Sequence, residues 1–324
     1  MTTPPTDVYS PAFPGFTAYR LRFSLTVTED IILPPYKGFT FRGVFGTVLR
    51  ELACSIPGEK CPLCPFRHTC AYGYLFETVP DASVPHAGKF AAYPRPYIIN
   101  PPLTARHRFG RYESMTFETV LIGRSVEFLP HLVMTFEEIG RRGIRNGRGR
   151  YLIDRITATG PAGRQQTVWE KGLIKGTCLS VRWDELAEPA SADSATLEFI
   201  TPLLVEDHGR PLETAPDFGF LMNALAHRAS LLHQLHGHTS AAEAEQHNDG
   251  SHGISIAVST LKWHDFERVS SRQQKRLRTG GMLGRVTYSG GLTPGQLQLL
   301  RLGELIHIGK STTFGFGGYR LYIN

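Results

Sequence analysis

A short pattern, Gly-x-Gly-x-Tyr running into an apolar stretch, occurs twice in this chain and dictates its architecture. The first copy is Gly147-Arg-Gly149-Arg-Tyr151, followed by Leu152 and Ile153; the second is Gly315-Phe-Gly317-Gly-Tyr319, followed by Leu321 and Ile323. The two tyrosines stand 168 residues apart, far beyond the period of a solenoid, so the echo predicts two copies of one domain. A chain of 324 residues is long enough to build two hydrophobic cores. Around the second copy, residues 305–308 read as a strand. The loop that follows carries Lys310, Ser311, Thr312 and Thr313 among Gly309, Gly315, Gly317 and Gly318. Such a loop brings main-chain N–H groups close to a bulky anion, with a ligand-free glycine hairpin as the alternative. It lacks the order of a Walker loop, because the lysine stands at its start.

The basic residues are concentrated rather than spread. Net charge is only +6, yet Arg141, Arg142, Arg145 and Arg148 crowd the first glycine loop, and Arg268, Arg272, Lys275 and Arg276 crowd a second segment with Gln273 among them. A solvated face normally mixes signs, so the two clusters predict an anionic polymer as partner, RNA before membrane. No run approaches the roughly 18 apolar residues of a membrane span. The first residues have neither a basic nor an apolar segment of a secretion signal, which predicts a cytoplasmic protein.

Read in order, the chain repeats one series of elements. Residues 16–27 alternate as a half-buried strand, and 39–52 place Phe41, Val44, Phe45, Val48, Leu49 and Leu52 at helical spacing with Arg42 off the stripe. A strand within 109–120, a helix over 126–139 and the strand after the first glycine loop complete β, α, β, β, α, β. A second round follows: strand 197–205, helix 218–235, strands 254–261 and 282–288, a helix over 293–303 and the final glycine loop. The predicted class is α+β, with tandem ferredoxin-like (RRM-like) domains. The N-terminal domain is placed at 1–187, a linker at 188–195 and the C-terminal domain at 196–324 with its glycine-rich loop at 309–318.

Cys54, Cys61, Cys64 and Cys70 form an insert at 54–70 in the first domain. Four thiols in so short a stretch of a reducing compartment favour a metal over disulfides. Four thiolates satisfy tetrahedral zinc, which would fold a small metal-binding insert with little core of its own; an iron–sulfur cluster is the alternative.

Several motifs in this order resemble one family. They are Trp263-His264-Asp265-Phe266; Gly280-Gly281-x-x-Gly284-x-Val286-x-Tyr288; Leu302-Gly303-Glu304; and His307-Ile-Gly309-Lys310-x-x-x-Phe314-Gly315-x-Gly317-x-Tyr319. Toward the N-terminus, Leu33-Pro-x-Tyr36-x-Gly38, Phe41-Arg42-Gly43-x-Phe45-Gly46, and Cys61-Pro-x-Cys64 with Cys70-x-Tyr72 fit the same pattern. The chain resembles the CRISPR-associated precursor-crRNA-processing endoribonucleases of the RAMP superfamily, in a subfamily with a cysteine insert. The resemblance implies cleavage of CRISPR repeat RNA without a catalytic metal, by attack of the substrate 2′-hydroxyl to give a 2′,3′-cyclic phosphate. The partners it implies are repeat RNA or crRNA and subunits of a CRISPR effector complex, not DNA or a membrane. A non-catalytic crRNA-binding subunit is the alternative.

This chemistry needs one group to take a proton, one to give a proton and cations on the phosphorane. Many members of the family place a histidine in or just after the first helix, but here no histidine precedes His68. The catalytic candidates are therefore His307 with Lys310, flanking the glycine loop, and then His264 beside Asp265. Each histidine has a structural alternative, in the strand core for His307 and at a strand end for His264. Arg42, Arg141, Arg142, Arg145, Arg148, Arg268, Arg272, Gln273, Lys275 and Arg276, with the backbone at Gly315 and Gly317, are the candidates for RNA contact. Phe314, Phe316 and Tyr319 either stack bases or pack the sheet.

Overall fold

A computed structural model describes residues 12–78, 93–145, 147–188, 190–237, 253–270 and 275–324. The alternating run after Phe16 forms β1 (Thr17–Val27), whose apolar side chains point to one face in the burial pattern iBieBeBiBiB. Helix α1 (Gly38–Ala53) follows, then β2 (Tyr97–Asn100), β3 (Ser114–Ile122), α2 (Leu129–Arg142) and β4 (Tyr151–Thr159). These strands pair antiparallel in the order β2-β3-β1-β4, and β5 (Gln165–Glu170) extends the sheet beyond β4. The second round gives β6 (Ala192–Leu203), α3 (Phe218–His236), β7 (Ser255–Ser259), β8 (Lys262–Ser270), β9 (Lys275–Leu292), α4 (Pro294–Ile306) and β10 (Tyr319–Ile323). Its order, β7-β9-β6-β10, with β8 also paired to β9, is the same arrangement again. Both halves are ferredoxin-like, as the doubled pattern predicts.

Each sheet is covered by its helices because their apolar stripes match it. From α1, Phe41 and Phe45 are buried against Phe117 of β3 and Phe136 of α2, with ring centroids 5.0 Å apart for Phe41–Phe117 and 5.3 Å for Phe45–Phe136. Burying such side chains contributes about 1.5–3 kcal/mol each. The second core gathers Leu197 and Phe199 of β6, Leu221 and Leu225 of α3, and Leu297 and Leu300 of α4. Ile98 and Val120 of the first sheet join this core, so the two halves are continuous along one edge. Local signals fix the helix starts. Asp217 accepts from the Phe220 N–H at 2.7 Å, and Thr293 and Gln296 form a reciprocal capping box.

Two expectations of local structure change. Residues 305–308 are not a strand: α4 runs to Ile306, because Leu299, Leu302 and Ile306 continue its helical stripe into the core. Half of the connector expected at 188–195 is already paired, since β6 begins at Ala192 opposite Leu292 of β9. Among the described residues no helix is long and apolar enough to cross a membrane.

Candidate active site

The glycine loop between α4 and β10 docks on two walls. One is the first turn of α1 and the residues before it. Tyr36 donates its hydroxyl to the Phe314 carbonyl at 2.8 Å, and its ring meets Phe316 edge-on at 4.9 Å. The other wall is the end of β6: Gly317 N–H donates to the Pro202 carbonyl at 2.8 Å and Lys310 N–H to the Leu204 carbonyl at 2.7 Å. Tyr36 is thus committed to tethering the loop across the two domains, and burial raises its pKa well above the usual phenol value.

Gly315 and Gly317, expected to offer their N–H groups to RNA, are buried instead. A Cβ at Gly315 would stand 2.8 Å from the Ile99 carbonyl oxygen, and one at Gly317 1.8 Å from that of Ile308, with φ at +72°. Their lack of a side chain serves backbone packing, not an open cradle. Phe316 and Tyr319 are buried too and belong to the packing, which leaves Phe314 as the half-buried aromatic of the loop.

Arg42 sits at the seam. Its guanidinium lies over the Phe76 ring at 3.9 Å from the centroid and over Phe314 at 4.9 Å. Gly46, four residues on and so on the same face of α1, leaves the room Phe76 needs: a Cβ there would be 2.2 Å from the ring. Arg95 approaches the same ring at 5.9 Å and donates to the Phe76 carbonyl. Neither arginine forms an ion pair among the described residues, and the Arg42 Nε has no hydrogen-bond partner there. Beside them Lys37, which the sequence did not single out, is buried, with Nζ donating to the Thr104 carbonyl at 2.6 Å and its pKa lowered by burial. The one available signal was its place just before Gly38, in a Pro-Pro-Tyr-Lys-Gly turn.

β8 closes the third side. Phe266 packs against Tyr36 at 5.4 Å and against Phe316 at 6.1 Å. His264 is two residues earlier on the same face, about 7 Å along the strand, and it is exposed. Its cross-strand partner is Gly281, where the Pro202 side chain and Leu203 carbonyl pass within 3 Å of where a Cβ would stand. His264 therefore opens onto the same 202–204 segment that anchors the glycine loop.

The other sequence candidates fall elsewhere. His307 is buried at the end of α4 and donates from Nδ1 to the Phe316 carbonyl at 2.9 Å; burial pushes its pKa down to about 4. At neutral pH it is an uncharged clamp on the loop, which corrects its expected role as an exposed acid beside Lys310. Lys310 is exposed and paired with Glu206. Arg141 and Arg142 are not free cations. Both bind Glu138, whose pKa their hydrogen bonds lower to about 2, and Arg142 also binds Glu51. Glu51 is near the far end of α1, about 20 Å from Gly38 at 1.5 Å per residue, so the first arginine loop is remote from the seam. In that loop Arg145 and Arg148 are exposed, and Arg145 donates to the Ile32 carbonyl. Arg268, Lys275 and Arg276 lie on β8 and β9 beyond Phe266, paired Arg268 with Leu277 and Ser270 with Lys275. Arg272 and Gln273 lie outside the described residues.

A cleft of about 530 Å³ between the two sheets is lined by Arg20, Arg22, Glu118, Arg301 and Glu304. Its cations are already neutralised: Arg20 and Arg22 by Glu118, Arg301 by Glu188 and Glu304. Among the described residues no three His, Cys, Asp or Glu side chains are drawn together as metal ligands. The four insert cysteines are free thiols that line one small pocket.

Burial of two neutral histidines has a measurable consequence. His236, at the end of α3, is held by the Tyr74 hydroxyl and the Pro94 carbonyl, and burial also lowers its pKa to about 4. Below the ordinary histidine pKa of 6.5 the unfolded chain takes up protons that the folded one refuses. Stability conferred by neutral His307 and His236 is thus fully present above pH 6.5 and is lost as pH falls toward 4. The loss is on the order of 2–3 kcal/mol per histidine. Thermal melts between pH 7 and 4.5 should show a falling midpoint, with a shallower fall in His307→Gln; equal slopes in both proteins would refute this assignment.

Comparison with known proteins gives a consistent result. Residues 197–319 match a family model described as CRISPR-associated endoribonuclease Cas6, and residues 16–179 match another described as an N-terminal domain. An uncharacterized protein of Archaeoglobus fulgidus is 26% identical over 294 residues, covering 89% of this chain and 92% of its own. Among solved structures, a Cas6 product complex matches with a TM-score of 0.57 at 16% identity, over 94% of this chain and 100% of that one. Thermus thermophilus Cas6 matches at 0.52 and 14% identity, over 95% and 99%. A partial Cas6-RT-Cas1–Cas2 complex matches at 0.56 and 13% identity, over 97% of this chain and 47% of that one. At these identities the structural likeness is one of fold.

Proposed function

The chain belongs to the Cas6 family of CRISPR-associated endoribonucleases, and we propose that it cleaves CRISPR repeat RNA without a catalytic metal. The observation that carries this reading is Arg42: a cation without an ion pair among the described residues, packed between Phe76 and Phe314 where α1 meets the glycine loop. A desolvated guanidinium held over aromatic faces is prearranged to receive phosphate charge and costs little reorganisation when it does. In this reading a scissile phosphate rests at the seam, with Arg42 and Arg95 on its non-bridging oxygens. Lys310 exchanges Glu206 for phosphate. The 2′-hydroxyl attacks the adjacent phosphorus, the P–O5′ bond breaks, and the products are a 2′,3′-cyclic phosphate and a 5′-hydroxyl. His264 is assigned the proton transfer, because it is exposed, it faces the segment that anchors the loop, and imidazole titrates near neutrality. The β8–β9 ribbon, with Arg268, Arg272, Gln273, Lys275 and Arg276, runs on from the seam and is assigned to the RNA backbone.

A second reading, a non-catalytic crRNA-binding subunit of an effector complex, draws support from the burial of His307, which removes one expected acid from the loop. Labelled repeat RNA incubated with the protein in EDTA separates the two. A product ending in a 2′,3′-cyclic phosphate is expected; tight binding of uncut RNA would establish the subunit, and cleavage only after a divalent ion is restored would remove the metal-independent mechanism.

A further inference from the structure

The cysteine insert has order without a core. From Glu51 to Cys70 no residue is buried, and Leu63 and Phe66 are 71% and 51% exposed. Even so, the segment holds defined turns: a 3₁₀ turn at Cys61–Leu63, and N–H donation from Arg67 to Cys64 and from Cys70 to Phe66. Apolar burial is absent as a source of that order, and a few exposed turns cannot offset the backbone entropy of so many residues, about 1–2 kcal/mol each. The four thiols, by contrast, all face one small pocket walled by Ile56, Phe66 and Tyr72, and all four are half-buried where most of their neighbours are exposed.

We propose that Cys54, Cys61, Cys64 and Cys70 bind a single zinc-type divalent cation as a four-thiolate structural site. The donor set fits the ion: four soft ligands, two of them two residues apart across a tight turn and the other two from the flanks. Binding displaces the four thiol protons and leaves no open coordination position, so the ion is structural and takes no part in the cleavage chemistry. Its reach extends to the seam through stacked rings. Just after Cys70, the rings of Tyr72 and Phe76 stack at 5.0 Å. Arg50 of α1 lies over the first ring at 5.7 Å and Arg42 over the second at 3.9 Å. The site therefore fixes the ledge on which Arg42 rests, a consequence that depends on the function proposed above; the metal site does not.

The test uses the full chain purified without chelator or polyhistidine tag. Elemental analysis is expected to give about one zinc per chain, and titration with an organomercurial should release it in step with thiol modification, followed by a metallochromic dye. Limited proteolysis should then open cut sites between Cys54 and Cys70 that the metal-loaded protein resists. In Cys61→Ser/Cys64→Ser the zinc should be lost; should that variant aggregate, the mercurial titration of the unaltered protein still decides. Four freely alkylated thiols without metal, two disulfides by mass, or iron and sulfide with visible absorbance would each overturn the proposal.

Discussion

Replacing His264 with Ala should slow single-turnover cleavage of repeat RNA by about 10²–10⁴-fold, the usual contribution of a positioned proton-transfer group. Binding should stay within a few-fold of the parent protein. The expectation follows from what the fold does to the two histidines. His264 is exposed on β8, on the face whose next residue but one, Phe266, packs on Tyr36 and Phe316. His307 has its Nδ1 committed to the Phe316 carbonyl and is neutral because it is buried. His307→Ala should therefore lower stability and leave the rate per folded molecule near that of the parent. The reverse outcome, full activity in His264→Ala and a dead but folded His307→Ala, would return the chemistry to the end of α4 and sink the present assignment. Measuring both rates at saturating enzyme keeps binding out of the comparison.

Gly317→Val should destabilise the protein by about 3 kcal/mol or more. The left-handed backbone costs a branched residue roughly 1–2 kcal/mol, and a clash with buried main chain adds to it. At Gly317 φ is +72° and a Cβ would stand 1.8 Å from the Ile308 carbonyl oxygen. Neither neighbour can move easily, because Gly317 N–H is bonded to Pro202 and Ile308 N–H to the Gly317 carbonyl. The loop would have to leave the seam, carrying Phe314 and Phe316 away from Arg42 and Tyr36. Thermal unfolding should show a midpoint lower by several degrees, with cleavage lost at temperatures where the rest of the chain stays folded. A variant with the parent's midpoint would mean that the loop is not held as described. Gly147→Val, exposed and without a close neighbour although also at positive φ, is the control that separates backbone strain from the clash.

Much of the fold was legible because it depends on local periodicity. The alternation in β1, the stripe of Phe41, Phe45, Val48 and Leu49 in α1, and the caps at Asp217 and Thr293 are written within one or two turns of chain. Residues 305–308 misled for the same reason: a short apolar run looks alike in a strand and in the last turn of a buried helix, and only the core beneath α4 separates them. The candidate site was legible as a set of motifs but not as a set of roles. Clustered arginines looked like free cations until Glu138 and Glu51 were brought to Arg141 and Arg142. Glycines dense enough for a phosphate cradle turned out to admit backbone from Ile99 and Ile308. Lys37 and Arg95 carried no spacing signal at all, because what distinguishes them is burial and nearness to Arg42.

By itself the sequence determined that the chain is doubled, which residues form its helices and strands, and that thiols and cations are concentrated in a few segments; these follow from neighbours along the chain. The tertiary structure decided which cations remain without a counter-ion, which histidine meets solvent, and that the glycine loop is a seam between two domains. Those properties depend on desolvation and on partners a hundred or more residues away, as with Tyr36 and Phe314 or Lys310 and Glu206, and pairing at that distance is set by how two sheets pack rather than by any pattern a single segment carries.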